Sequence, residues 1–224
     1  KLNTASTLID NLDIDGATDI GAAIVDADLF IIDDGAGGTN RKTAASRLKT
    51  YISHGLEFIG TIEATDDATI TVTGLDSSVY EHFEIQFAGI TPASDNTDLQ
   101  FRMGDSGGID SGASDYAWAK IRSDENGSRS VTKDTSDGLI SIAAGLGNQT
   151  TEGYSGTLYI NTGDKSGHTL IYGTGAVKIA SETISLYLTY GMRLSNLTLT
   201  QIQAFINTGN VSTGRMTVWG RKHA

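Results

Sequence analysis

One serine lies in a run with the pattern of a catalytic nucleophile. Gly104-Asp105-Ser106-Gly107-Gly108 fits G-x-S-x-G, and such a serine needs a histidine base and an orienting carboxylate. His54 and His82 precede Ser106, but too little chain separates them from it for the barrel strands of a protease with this pattern. No helical period follows Ser106, as a hydrolase elbow would require. The run therefore predicts a Gly-rich hairpin loop and no catalytic role.

Carboxylates around the same loop are candidates for binding a cation. Asp105, Asp110 and Asp115 lie in one Gly- and Ser-rich stretch, and Ca²⁺ takes several oxygens from a flexible loop. The pairs Asp33-Asp34 and Asp66-Asp67 are interpreted as solvated turn residues, because neighbouring side chains on a strand point to opposite faces.

The histidines show no ligand spacing, so no transition-metal site is expected within one chain, although a trimer axis could bring three copies of one histidine together. They are His54, His82, His168 and His223. No cofactor is expected.

Aromatic side chains are the candidates for ligand binding, because tyrosine and tryptophan faces stack on sugar rings. Tyr116 and Trp118 share one face of a predicted strand just after the Gly-rich loop and are the first choice for an exposed site. Trp219 is a third candidate, and Tyr154 and Tyr172 are weaker ones. The alternative interpretation is that these aromatics belong to the core or to a subunit interface.

Two regions of the chain differ in their periodicity. In residues 1–56, a short apolar run and a Gly turn precede one short amphipathic helix over residues 43–54, which Thr43 would cap. Residues 57–224 alternate with a period of two, as in the stretch where Phe83, Ile85 and Phe87 share a face. The sequence thus predicts an all-β fold, an antiparallel jelly-roll-like β-sandwich with a short amino-terminal module that contains the helix.

The composition and net charge argue against some classes of binding partner. The formal net charge of −11 argues against nucleic acid, since phosphate binding needs clustered lysine and arginine. No apolar window approaches a membrane span, so membrane insertion is not expected. With no cysteine, stability must come from packing, hydrogen bonding or assembly. The chain begins with Lys1 and not Met, so processing, or excision from a longer chain, is expected.

Three segments of the chain have patterns that occur in one known kind of protein. DLFIIDDGAGGTNRKTAASRLKTYI, residues 28–52, resembles a module that links upstream fibre parts to the domain after it. The segment from Ile59 to Ala119 resembles the carboxy-terminal domain of phage fibres, and its marks are FEIQFAGITPASDNTDLQFRM and GGIDSGASDYAW. IQAFINTGNVSTGRMTVWGRK resembles the closing hairpin of those domains. Together these segments resemble proteins of bacteriophage particles, of the tail-fibre or receptor-binding kind. Their order is more specific than any one of them, and they cover about half of the chain.

The resemblance implies a structural virion protein, located on the phage tail or the capsid surface, that recognises the host and is not an enzyme. Residues 1–56 would attach it to the particle, with Arg41, Lys42, Leu48 and Tyr51 matching the pattern of the linking module. Residues 57–224 would form the sandwich. Two alternatives remain open at this point, namely a capsid decoration or baseplate protein without receptor binding, and a glycan depolymerase.

The expected partners are other phage structural proteins, a glycan or protein of the host surface, and further copies of the chain. Fibres of the resembled family are commonly threefold, which favours a homotrimer. Small residues on strand faces would allow close approach between subunits, as at Ala88, Ala143 and Ala180. The alternative is a monomeric sandwich held only by the particle.

Overall fold

The computed structural model describes residues 21–33, 40–52, 55–162, 169–181 and 183–222. The histidines at positions 54, 168 and 223 and the carboxylate of Asp34 lie outside these ranges, as do the side chains of Asp33 and Tyr51. The chain divides into two compact units, Lys1–Ser53 and His54–Ala224, and each is described by itself.

The first unit contains a β-hairpin followed by a helix. Strand β1 (Leu29–Asp33) pairs antiparallel with β2 (Asn40–Ala44), and helix α1 (Ala45–Ile52) comes directly after it. The prediction that Thr43 caps a helix over residues 43–54 is wrong, because Thr43 lies in β2 opposite Phe30 and is buried. The backbone of Thr43 is paired with β1, so the helix begins two residues later, at Ala45.

The second unit is built almost entirely from strands, and every pairing between its named strands is antiparallel. The strands are β3 (Glu57–Glu63), β4 (Thr69–Thr73), β5 (Tyr80–Pro92), β6 (Thr97–Asp105), β7 (Gly108–Ile109), β8 (Tyr116–Asp124), β9 (Arg129–Asp137), β10 (Ile140–Leu146), β11 (Gly153–Asn161), β12 (Leu170–Lys178), β13 (Ile184–Arg193), β14 (Gln201–Ile206) and β15 (Val211–Lys222). The all-β class predicted from the sequence is therefore confirmed.

These strands form two sheets. Sheet I has eight strands in the order β3-β15-β5-β11-β12-β13-β8-β9. Sheet II has five strands, β10-β6-β14-β4 with β7 added beside β6. Strand β9 closes one edge of sheet I, and its residues from Arg129 to Ser136 are all exposed. Its charged and hydroxyl side chains suit an edge that must not pair with other chains.

The core lies between the sheets in a β-sandwich-like arrangement, with apolar side chains from both. In β5, Phe83, Ile85 and Phe87 are buried as the alternation predicts, because successive side chains on a strand point to opposite faces. The expected alternation stops at Gly89, which adopts a positive φ of 61° and is exposed, and Ile90 takes the next inward place. The sequence pattern thus defines the inward face of β5 up to this irregularity.

Candidate functional site

The GDSGG run forms a two-residue hairpin loop. Gly104 pairs with Ile109 and Asp105 with Gly108, so that Ser106 and Gly107 connect β6 to β7. The backbone N–H of Gly107 donates to Asp105 Oδ1 over 2.7 Å. An antiparallel strand, and not a helix, comes after the serine, so the surroundings of a nucleophile elbow are missing here.

The three loop carboxylates do not converge on a cation site. Asp110 Oδ2 lies 2.9 Å from Arg193 Nε, and Asp115 Oδ1 lies 3.1 Å from Arg193 Nη2. The guanidinium of β13 therefore occupies the place that the sequence assigned to Ca²⁺, while the Asp105 carboxylate accepts a hydrogen bond within its own hairpin. Within the described residues, no group of three or more histidine and acidic side chains has the arrangement of a metal site.

The remaining candidates for acid–base or metal chemistry have local partners. Asp67 Oδ2 accepts from the backbone N–H of Thr65 over 2.8 Å, as a turn carboxylate does. His82 Nε2 lies 3.1 Å from Glu81 Oε1.

Tyr116 is a core residue, and the expectation of an exposed platform there is wrong. Its side chain is fully buried, and its hydroxyl donates to Met103 O over 2.9 Å while accepting from Met103 N–H over 2.9 Å. Burial raises the pKa of this phenol well above its ordinary value. The hydroxyl thus ties β8 to β6 across the two sheets. Tyr154 is also buried, with its ring edge-on to Phe87.

Trp118 lines an open groove of about 510 Å³ together with Asp134, Tyr172 and Tyr190. It is half-buried, and its Nε1 donates to Asp137 Oδ2 over 3.0 Å. The ammonium of Lys120 lies 5.5 Å from the Trp118 ring centroid and 5.8 Å from that of Tyr187. The Trp118 ring thus faces a cation of its own chain, within the distance of a cation–π contact.

A buried lysine is the group that the sequence analysis missed beside Trp118. Lys120 is 5% exposed and donates to Ser141 Oγ of sheet II. Burial lowers its pKa, and the negative charge of Asp98 partly opposes that shift. A lysine in an alternating strand gives no sequence signal of burial, because charged side chains normally face water.

Trp219, another predicted ligand-binding residue, lines a second open groove. The groove, here the Trp219 groove, has a volume of about 380 Å³ on the outer face of sheet I and is lined by Phe58, Thr61, Glu63, Gln86, Ala88, Arg215, Thr217 and Trp219. Phe58 is 62% exposed, and its ring meets that of Trp219 edge-on with 6.5 Å between centroids. Arg215 and Glu63 are both largely exposed and 3.9 Å apart, so their charged groups can turn towards a ligand. The groove combines two aromatic rings with groups that donate and accept hydrogen bonds.

The other end of the same outer face is apolar. Here the term apolar face denotes eight outward side chains, each between 37% and 66% exposed: Val131, Tyr159, Leu170, Tyr172, Ile184, Leu186, Leu188 and Tyr190. Beside Tyr190, the small side chains of Ala117 and Ala119 border the groove that Trp118 lines, and Lys133 and Asp134 of β9 complete its polar side. Contiguous exposed apolar surface of this kind marks an interaction site.

The residues of the expected attachment module lie on the first unit. Arg41 and Lys42 are exposed on β2, opposite Ile32 and Ile31 of β1. Leu48 is half-buried on α1, and Tyr51 lies in the last turn of that helix.

Comparison with protein-family models, with curated proteins and with solved structures found no match to this chain. Among the residues that the structure describes, no helix has the length and apolar character needed to cross a membrane.

Proposed function

We propose that this chain is a structural binding protein of a bacteriophage particle, of the tail-fibre or receptor-binding kind, and not an enzyme. The resemblance of its three segments supports the virion role. The observation that carries the binding role is the Trp219 groove, because the exposed Phe58 ring and the half-buried Trp219 ring adjoin charged and amide groups there. A site of this mixed character suits a ligand with both apolar faces and hydroxyl groups. A glycan of the host surface is such a ligand.

We also propose that the second unit is a jelly roll with two insertions. Two strand orders support it, β3-β15-β5-β11 in sheet I and β4-β14-β6-β10 in sheet II. In chain order these eight strands cross between the sheets at every step except from β6 to β10, as in a double Greek key. On this interpretation β7, β8, β9, β12 and β13 are inserted, and four of them extend sheet I beyond β11.

The working form proposed is a homotrimer on the virion, attached through residues 1–56 to other phage structural proteins. Several tethered copies of a weak site raise avidity by about two to four orders of magnitude. The expectation that Ala143 lies at the subunit contact is wrong, because Ala143 is completely buried in the core of its own chain. Ala88 is exposed and Ala180 is half-buried.

The experiment has two parts. Antibody-labelled particles viewed by electron microscopy should show this chain at the tail tip. A label spread over the capsid lattice would replace the proposal by a capsid decoration, and sugar release from host envelopes by the purified chain would replace it by a depolymerase.

The second part measures adsorption of the fluorescently labelled full chain to host cells. The double variant Phe58→Ala, Trp219→Ala should lose at least about tenfold in binding, which corresponds to losing one good aromatic contact. Leu56→Ala, an exposed apolar residue outside the groove, serves as the control and should bind as the wild type does. Equal binding by all three would reject the groove as the receptor site.

A further inference from the structure

We propose that the apolar face is buried against a second copy of this chain. The inference deepens the homotrimer proposed above and rests on it only for the number of copies. It begins with β13, whose outward side chains are more apolar than its inward ones. Ile184, Leu186, Leu188 and Tyr190 face outward, each about half exposed, whereas inward positions carry serine, threonine and tyrosine.

The inward polar side chains fix this orientation of β13. Ser185 Oγ accepts from Arg122 Nε over 3.0 Å, Thr189 Oγ1 donates to Ile142 O over 2.9 Å, and the Tyr187 hydroxyl donates to Ala144 O over 2.9 Å. Turning the leucines inward would break all three hydrogen bonds, because a one-residue shift exchanges the two faces. The outward leucines are therefore a fixed property of the folded chain.

The outward side chains form one continuous surface. Tyr159, Tyr172 and Tyr190 stand side by side on three adjacent strands, and the first two rings stack with 5.3 Å between centroids. In the next row, Leu188 pairs with Ile121, which pairs with Val131. On β13 the outward positions of Leu188 and Tyr190 are consecutive, so the leucines adjoin the tyrosines, and Thr174 of β12 is the hydroxyl residue beside Leu188.

The area is sufficient for a stable contact. Eight side chains of this size, each about half exposed, leave roughly 800 Å² of mostly apolar surface, which matches the ~800 Å² that each partner contributes to a standard interface. Permanent interfaces between identical chains are the more hydrophobic ones and resemble a divided core. The groove beside Ala117 and Ala119 is a depression in this surface into which side chains of a second copy can fit.

The distribution of charged residues favours a second copy of this chain as the molecule that covers the apolar face. Two chains of net charge −11 repel each other, so a self-contact must avoid placing carboxylates together. On β8, β12 and β13 the outward positions defined by the pairing carry no carboxylate. On β9 the Asp134 carboxylate lines the groove, but Lys133 lines it too, and Arg129 and Lys178 stand at the rim. These cations can meet acidic groups elsewhere on the neighbouring copy.

The test compares the mass of full-length variants at micromolar concentration by sedimentation. The wild type should be an oligomer, and the double variant Leu186→Ser, Leu188→Ser should be a folded monomer. Val79→Ser removes an exposed apolar side chain outside the apolar face and should leave the oligomer intact. If the wild type and every variant are oligomers, this surface assignment fails while the homotrimer stands. A monomeric wild type overturns both.

A second measurement covers the case in which the serine variant fails to fold. Since the chain has no cysteine, Leu186→Cys and Val79→Cys each give a single thiol. At micromolar concentration, Cys at position 186 should react with a maleimide at least about tenfold more slowly than Cys at position 79, because the copy covers it. Dilution should abolish the difference. Equal rates at high concentration would overturn the inference.

Discussion

The loop between β7 and β8 is held in place by the contacts of one residue, Arg193. Arg193 is 11% exposed at its side chain and contacts both Asp110 and Asp115. Its Nη1 also donates to the backbone oxygen of Asp115 over 3.0 Å. The carboxylates are therefore structural, since they fix the loop to the end of β13.

Replacing Arg193 by Met should lower the free energy of unfolding by about 2 kcal/mol, because two partly buried carboxylates lose their partner. The measurement is urea unfolding at neutral pH. Arg215→Met is the matched control, and it should change stability by less than about 0.5 kcal/mol, since Arg215 is 53% exposed in its ion pair. Equal effects of the two substitutions would contradict the account.

Lys120 should make stability depend on pH. Its pKa is lower in the folded chain than the ordinary value of 10.5, because burial disfavours the charged form. Between these two values the unfolded chain binds more protons, so stability contributed by this site rises as pH increases. The Tyr187 phenol beside it has a raised pKa through burial and acts in the opposite sense at higher pH.

The unfolding free energy of the wild type minus that of Lys120→Met should therefore increase from neutral pH towards pH 9.5, below the titration of exposed tyrosines. Chemical unfolding of both proteins across that range measures it. A difference that does not change with pH would show that Lys120 titrates as an ordinary surface lysine does.

In the strands and hairpins, close backbone packing limits which residues a position accepts. In the β6–β7 hairpin, a Cβ at Gly104 would overlap the backbone of Gly108 and Ile109. Gly104→Ala should therefore cost at least about 2 kcal/mol of stability, because backbone atoms cannot move aside cheaply. Ser106→Ala in the exposed loop should change stability by less than about 0.5 kcal/mol and leave assembly and any activity unchanged. Thermal unfolding of the two variants tests this, and a reversed order would refute the hairpin geometry.

Elements also show what sequence patterns can and cannot predict. The alternation of Phe83, Ile85 and Phe87 defined the inward face of β5 correctly. Strand β2 was missed because Asn40 to Ala44 has no apolar alternation and is held by pairing with β1. Alternation in β13 would place Leu186 and Leu188 inward, but hydrogen bonds to sheet II place Tyr187 and Thr189 there, and only the fold supplies those partners.

The candidate site was also only partly predictable from the sequence, because its residues come together only in the folded chain. Trp219 was identified from its residue type, but its neighbour Phe58 lies far away in sequence and joins it only through the pairing of β15 with β3. Tyr116 was assigned to the surface because an aromatic residue after a Gly-rich loop carries no mark of burial. Arg193 was not considered, since its acidic partners lie more than seventy residues earlier in the chain.

The whole molecule consists of two units, and they should be separable. A chain of residues 57–224 should stay soluble and unfold at the temperature of the full chain within about 3 °C, because every residue of the apolar core found among the described residues belongs to the second unit. It should fail to join phage particles if residues 1–56 are the attachment module. Calorimetry and particle incorporation assays measure the two outcomes. Normal incorporation of the shortened chain would reject the attachment role.

The place of β15 in sheet I has a consequence for how the chain folds during synthesis. This strand comes late in the sequence, yet it lies between β3 and β5 and pairs with both. Until the ribosome has released residues 211–222, β3 has no strand to pair with in sheet I and one edge of β5 is unpaired. Such long-range pairing is slow to form and leaves strand edges exposed meanwhile. Shortening the chain by one late strand would therefore cause aggregation rather than a slightly smaller protein.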